Sequence, residues 1–287
     1  MPKAEVNGVS LYYEEAGSGI PIVFVHEFAG DYRSWEAQMR FFSARYRAVT
    51  FSARGYLPSD VPERPEDYSQ DAQVEDLKGL LGRLKIEQAH VVGLSMGSYT
   101  TLLFGLKHPR LARSLTIAGS GYGSGGDRAE FHQRVDATAQ RMLDEGMAAV
   151  AESYTLSPTR VQLQNKNPRG WEEFRRQFEE HSGRGSAYTL RGVQKQRPSI
   201  LELGPQLEKL DVPALVILGD EDDPGVEGSL FMKRKIPRCG LELYARCGHA
   251  VNLEEPERFN RSVLEFVTAV DAGHWEPRDP RATGAVM

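Results

Sequence analysis

Five consecutive residues, Gly93-Leu94-Ser95-Met96-Gly97, hold a serine between two small residues. Alone the spacing is weak, since ordinary glycine usage produces it by chance in about one chain of this size in ten. Its surroundings sharpen it. The strand-forming Ala89-His90-Val91-Val92 leads straight into it, and a helical pattern to about Lys107 leads out. A strand that turns sharply into a helix strains the serine backbone, so small residues are needed two positions to either side. The helix aims its N-terminus at the hydroxyl and favours an anion there. The implied chemistry is nucleophilic attack by Ser95; the alternative is a plain strand-to-helix turn with an incidental serine.

A serine hydroxyl is a poor nucleophile at neutral pH and needs a base. Among seven histidines, His249 in Cys247-Gly248-His249 lies just after the last expected strand, at the same sheet edge as Ser95. His90 starts a strand, His108 ends a helix, His132 and His181 fall in a helical stretch, and His274 lies in the tail. An acid must fix the histidine tautomer. The strand 215–218 ends in Gly219 and then Asp220-Glu221-Asp222-Asp223-Pro224, one carboxylate of which is expected to serve, in the chain order Ser…Asp…His. An oxyanion needs backbone N–H donors. The Met96 amide is one, and the loop His26-Glu27-Phe28-Ala29-Gly30 supplies the other, with the Phe28 amide favoured.

Strands are expected at 9–15, 21–25, 47–51, 89–93, 114–118, 214–218 and 241–244. Helices are expected at 34–46, 69–84, 95–107 and 255–270. The run 21–25 is apolar throughout, as in a strand buried on both faces. Strands alternating with helices imply an α/β fold with a mostly parallel sheet covered on both faces. Residues 127–210 break the alternation with helical patterns alone: one long helix or two over 128–154, then 168–182 and 185–195. The division is a core of 1–122 and 211–287 with a helical insert of 123–210. Ligands bind such sheets at the strands' C-terminal edge, so an insert leaving there is expected to form a cap over the site; the alternative is a side domain with no part in binding.

The 287 residues suffice for a buried core, and the net charge of −5 lacks the basic stripe of a nucleic-acid binder. Two cysteines do not make a disulfide framework and fit a reducing cytoplasm. No basic run precedes an apolar stretch at the N-terminus, so no signal peptide is expected, and no run approaches the ~20 apolar residues of a membrane span. There is no His-x-x-x-His and no paired Cys-x-x-Cys, and the glycine-rich Gly119–Gly126 does not open a dinucleotide-binding fingerprint, so neither metal nor cofactor is expected.

Together these residues resemble the α/β-hydrolase superfamily in its capped, small-substrate branch of carboxylesterases, lactonases and C–C bond hydrolases. The resemblance covers nearly the whole chain. His26–Gly30 is similar to its His-Gly-x oxyanion loop, whose third residue gives the amide. Residues 52–60 resemble its Asp-x-Arg-Gly-x-Gly-x-Ser loop, and residues 248–260 its histidine loop and final helix. The family acid usually stands three residues after the glycine, which selects Asp222. A serine at the turn, rather than aspartate, separates the chain from epoxide hydrolases and dehalogenases. Three positions depart: Glu27 replaces a glycine, the Tyr56/Pro58 loop lacks the usual glycines, and Ser98 replaces another. A carboxylate at Glu27 would oppose the developing oxyanion unless it points away, is protonated, binds a polar part of the substrate or faces solvent.

The resemblance implies carboxylic-ester or lactone hydrolysis through Ser95, His249 and Asp222 on a small or medium substrate. The alternatives are C–C cleavage of a diketo acid held by Arg54, Arg160, Arg184 or Arg191, cofactor-free perhydrolysis, and a non-catalytic ligand-binding protein. Glu27, Trp35, Tyr99, Tyr122, Tyr154 and Trp171 are candidate pocket residues, with Phe131 and Tyr188 beside them. The expected partner is the small-molecule ester or lactone, with no nucleic acid and no membrane; a homodimer is left open.

Overall fold

The computed structural model describes residues 2–121, 124–125 and 127–283. Eight strands form one sheet: β1 (Lys3–Val6), β2 (Val9–Ala16), β3 (Pro21–Val25), β4 (Arg47–Phe51), β5 (Ala89–Leu94), β6 (Ala112–Ala118), β7 (Ala214–Gly219) and β8 (Cys239–Tyr244). Their order is β1-β2-β4-β3-β5-β6-β7-β8. β1, β2 and β4 pair antiparallel, and every other pair is parallel.

The alternation of side chains along β3 explains its unbroken apolarity. Ile22 and Phe24 enter a core with Trp35, Phe42 and Phe259, while Val23 and Val25 enter a second core with Leu77, Leu102 and Phe104. The helices that cover the two faces are α1 (Glu36–Phe42), α2 (Gln70–Arg83) and α3 (Met96–Lys107) before the insert. The insert contributes α4 (Arg128–Asp144), α5 (Ala148–Thr155), α6 (Val161–Lys166), α7 (Pro168–Glu179), α8 (Gly183–Thr189) and α9 (Gly204–Leu207). After it come α10 (Asp223–Lys235), α11 (Val251–Glu254) and α12 (Pro256–Asp271). The pattern over 128–154 resolves into two helices because Gly146, at φ +82°, turns the chain between α4 and α5.

The register delivers the expected loops to one edge. Val25 at the end of β3 pairs with Gly93 near the end of β5, and Leu94 pairs with Ala118 at the end of β6. Gly219 at the end of β7 pairs with Tyr244 at the end of β8. The loops carrying Phe28, Ser95, Asp222 and His249 therefore leave adjacent parallel strands at their C-terminal ends. A surface depression of about 750 Å³ lies at the opposite edge among Ala112, Val212, Pro213 and Arg238, away from this chemistry.

Among the described residues no helix is long and apolar enough to cross a membrane, and no group of three or more His, Cys, Asp or Glu is placed to hold a metal ion. Cys239 and Cys247 are buried free thiols.

Candidate active site

Ser95 stands between β5 and α3 at φ +55°, ψ −112°, a conformation L-residues rarely adopt. The turn is possible because its neighbours lack side chains. A Cβ at Gly97 would fall 2.1 Å from the Val25 carbonyl oxygen, and one at Gly93 2.2 Å from the Gly97 carbonyl oxygen. The Ser95 amide donates to the Ala118 carbonyl at 2.8 Å, tying the turn to β6. The side chain is half-buried and α3 begins immediately after it. Ser98, which departs from the family pattern, donates its hydroxyl to the Ser95 carbonyl at 2.6 Å.

His249 and Asp222 are both buried, and His249 Nδ1–H donates to Asp222 Oδ2 at 2.7 Å. That bond leaves Nε2 as the acceptor, the tautomer a general base requires. The imidazole Cε1 lies 3.4 Å from where a Cβ on Gly119 would sit, one residue past the Ala118 carbonyl that holds Ser95. Of the other carboxylates in the loop, Asp220 accepts from the Cys247 amide at 3.2 Å and Asp223 is exposed. Asp222 is thus the carboxylate of this loop that is hydrogen-bonded to the His249 ring. Glu254 holds the histidine loop from below, accepting from the Gly248 and Ala250 amides at 2.7 and 3.2 Å. Burial pushes the Glu254 carboxyl above its ordinary range.

The loop after β3 is anchored by His26. The Ala53 amide donates to Nε2 at 2.9 Å, so Nδ1–H donates to the Glu27 carbonyl at 2.6 Å. Both nitrogens are occupied only in the neutral ring, and burial pushes the His26 pKa down to about 4. Unfolded, the same ring titrates near 6.5. Between those values the unfolded chain binds a proton that the folded chain does not, so stability is complete above about pH 6.5 and falls toward pH 4. His90, buried at the start of β5, shifts in the same direction to about 4. Urea unfolding at pH 5 is expected to give a stability about 2 kcal/mol below that at pH 7 from His26 alone; equal stability at both would contradict a buried neutral imidazole.

Glu27, expected among the substrate contacts, neither points to solvent nor stays unpaired. It is fully buried and forms a two-point ion pair with Arg160 of the insert, with Nη1 to Oε1 at 3.1 Å and Nη2 on Oε2. Burial alone would push this carboxyl up, but the Arg160 charge and hydrogen bonds outweigh it and hold it below the usual range.

The aromatic candidates separate. Tyr99 lies one turn beyond Ser95, its amide donating to the Ser95 carbonyl at 3.1 Å. Tyr154 sits against Phe28, with ring centroids 5.5 Å apart, and below the Arg160 guanidinium. Trp171 ties α7 to α5 by donating its indole N–H to the Thr155 carbonyl at 3.0 Å. Trp35 is a correction: it is fully buried against Phe24 and Phe259 in the core covered by α1 and α12, a packing position rather than a pocket wall. Tyr122 lies outside the described residues.

The arginines proposed for a substrate carboxylate are engaged elsewhere. Arg54 is doubly bonded to buried Asp76 at 2.6 Å, and Arg160 to Glu27. Arg184 contacts the Val61 carbonyl and Glu63, and Arg191 contacts Gln140. Sequence reasoning missed Arg197. Its guanidinium is buried 4.8 Å over the Tyr99 ring, and burial lowers its pKa to about 10.

A sequence profile of the alpha/beta hydrolase fold matches residues 20–256. The chain belongs to this family. It is 27% identical to the 2-hydroxy-6-oxononadienedioate/2-hydroxy-6-oxononatrienedioate hydrolase of Burkholderia vietnamiensis, over 90% of both chains. Among solved structures it is similar to the enol-lactonase from Burkholderia xenovorans LB400, with TM-score 0.82 and 25% identity over 93% of this chain and 100% of that one. A thermophilic esterase from Thermogutta terrifontis superimposes equally well, with TM-score 0.82 and 26% identity over 94% and 98%.

Proposed function

We propose that this alpha/beta hydrolase cleaves carboxylic esters or lactones of small to medium size through an acyl-enzyme on Ser95. The observation that carries the reading is the strained Ser95 turn at the same sheet edge as the buried His249–Asp222 pair, which is bonded at 2.7 Å and whose imidazole ring lies against Gly119, next to the Ala118 carbonyl that holds Ser95. Ser95 Oγ attacks the carbonyl carbon as His249 Nε2 takes its proton. Asp222 holds the tautomer and stabilises the imidazolium. The Met96 and Phe28 amides receive the oxyanion. His249 then protonates the leaving alcohol and activates the water that releases the acid. The insert acts as a cap whose Tyr154 and Arg160 lie over the Phe28 loop.

One observation favours a second reading, C–C cleavage of a diketo acid by the same residues. Arg197 places a buried cation against Tyr99, one helical turn from Ser95. A substrate carboxylate would pair with it. The test is turnover of p-nitrophenyl butyrate, a γ-lactone and a ring-fission diketo acid by the wild type and Arg197→Met. Ester and lactone hydrolysis indifferent to Arg197→Met supports the first reading. Diketo-acid turnover that falls about 10²-fold in the variant, with ester hydrolysis retained, supports the second.

A further inference from the structure

The turn Pro158–Arg160 of the insert reaches both halves of the site. The Thr159 carbonyl accepts from the His249 amide at 2.7 Å, an approach open only because a Cβ on Gly248 would lie 2.2 Å from that oxygen. The next residue, Arg160, grips Glu27, which directly precedes the Phe28 oxyanion donor. The guanidinium lies over two aromatic rings, 5.3 Å from the Tyr154 centroid and 5.4 Å from that of Phe174. Both members of the pair are almost wholly removed from solvent, Arg160 3% and Glu27 0% exposed.

A carboxylate here is costly unless it is cancelled. In a water-excluded site its field is screened far less than in water and opposes the negative charge that would develop at the amide of the next residue. Glu27 faces Arg160, His249, His26, Tyr56 and Tyr154, and of these Arg160 is the permanently charged cation. Glu27 in turn lies near the imidazolium that forms on His249.

Resting on the serine-hydrolase reading, we propose that Arg160 is a positioning residue of the catalytic centre, borrowed from the insert, which neutralises Glu27 so that the oxyanion loop can carry a carboxylate beside a developing anion. Arg160 acts through Glu27 and touches no reacting atom. The insert is then part of the machinery as well as a cover, because one turn supplies an anchor for the His249 backbone and the counter-charge for the Phe28 loop.

A tether and a counter-charge respond differently to mutation. Removing Arg160 alone leaves Glu27 buried, neutral in acid and ionised without a partner as pH rises. Removing both charges cuts the same tether but leaves no anion. The experiment compares p-nitrophenyl butyrate hydrolysis by the wild type, Arg160→Met and the double variant Glu27→Gln/Arg160→Met from about pH 6 to 9. Relative to wild type, kcat of Arg160→Met is expected to fall as pH rises, reaching a loss of about 10²-fold at high pH with KM changed less than about threefold. The double variant is expected to lose that pH dependence and to recover kcat to within about tenfold of wild type. Should Arg160→Met fail to fold, the double variant, which buries no unpaired charge, decides alone. A double variant no better than Arg160→Met, or down about 10³-fold where the single variant does not fold, overturns the proposal, as does an Arg160→Met with wild-type kcat at every pH. A folded wild type with no esterase activity overturns the serine-hydrolase reading itself, and this inference with it.

Discussion

Replacing Ser95 by alanine is expected to lower kcat/KM for p-nitrophenyl butyrate by about 10⁴-fold or more, to the level left by oxyanion stabilisation and binding alone. The size follows from the placement of the hydroxyl. Ser95 is the half-buried residue at the turn, with α3 beginning behind it, and the His249 ring lies against Gly119, next to the Ala118 carbonyl that holds the Ser95 amide. The variant is expected to fold, because φ +55° strains alanine and serine alike and the amide that bonds Ala118 is unchanged. Circular dichroism and thermal unfolding establish the fold, and initial rates on the same preparation give the loss. A folded Ser95→Ala chain with wild-type rates would leave the turn without its assigned chemistry.

The second large effect is expected at Asp222. Asp222 Oδ2 accepts from His249 Nδ1 at 2.7 Å with both groups buried, so no water can replace the carboxylate. In Asp222→Asn the amide can donate to Nδ1, which moves the imidazole proton to Nε2 and leaves no lone pair to receive the serine proton. The expected loss is about 10⁴-fold in kcat, with KM little changed. Asp220→Asn is the control. Its carboxylate is exposed and accepts one long bond from the Cys247 amide at 3.2 Å, so a loss below about tenfold is expected. Equal losses at both positions would mean the loop carries its acid function diffusely, against the geometry.

The parts of the site readable from sequence are those that ride on strand ends. Ser95, Asp222, His249 and Phe28 each follow a run of strand-forming residues. A parallel sheet brings such ends to one edge whatever the intervening chain does. The Glu27–Arg160 pair was illegible because its partners are 133 residues apart and no periodicity links them. Glu27 was noticed as a departure from a pattern, but only the fold supplies the cation that makes it tolerable. Arg197 escaped notice because arginine is ordinarily a surface residue, and only the Tyr99 ring over which it lies marks it as buried. Trp35 shows the converse. An aromatic near a loop can line a pocket or fill a core, and here Phe24 and Phe259 claim it.

Among elements, β1 went unseen because four residues give too short an alternation, and it forms by pairing with β2. The helix α10 was hidden by Gly225 and Gly228, poor helix formers present for packing. A Cβ at Gly225 would lie 2.6 Å from Leu218 Cδ1, and one at Gly228 3.1 Å from Gly121 Cα. Local propensity yields there to close approach of the backbone.

The most direct test of the central claim is where a covalent inhibitor settles. Diisopropyl fluorophosphate reacts with a serine hydroxyl only where a base and an oxyanion hole activate it. Peptide mapping by mass spectrometry after treatment of the full chain is expected to find one phosphoryl adduct, on Ser95, with ester hydrolysis lost in proportion to labelling and no adduct in Ser95→Ala. Labelling of another residue, or an unlabelled, folded wild type that still hydrolyses esters, would contradict Ser95 as the nucleophile.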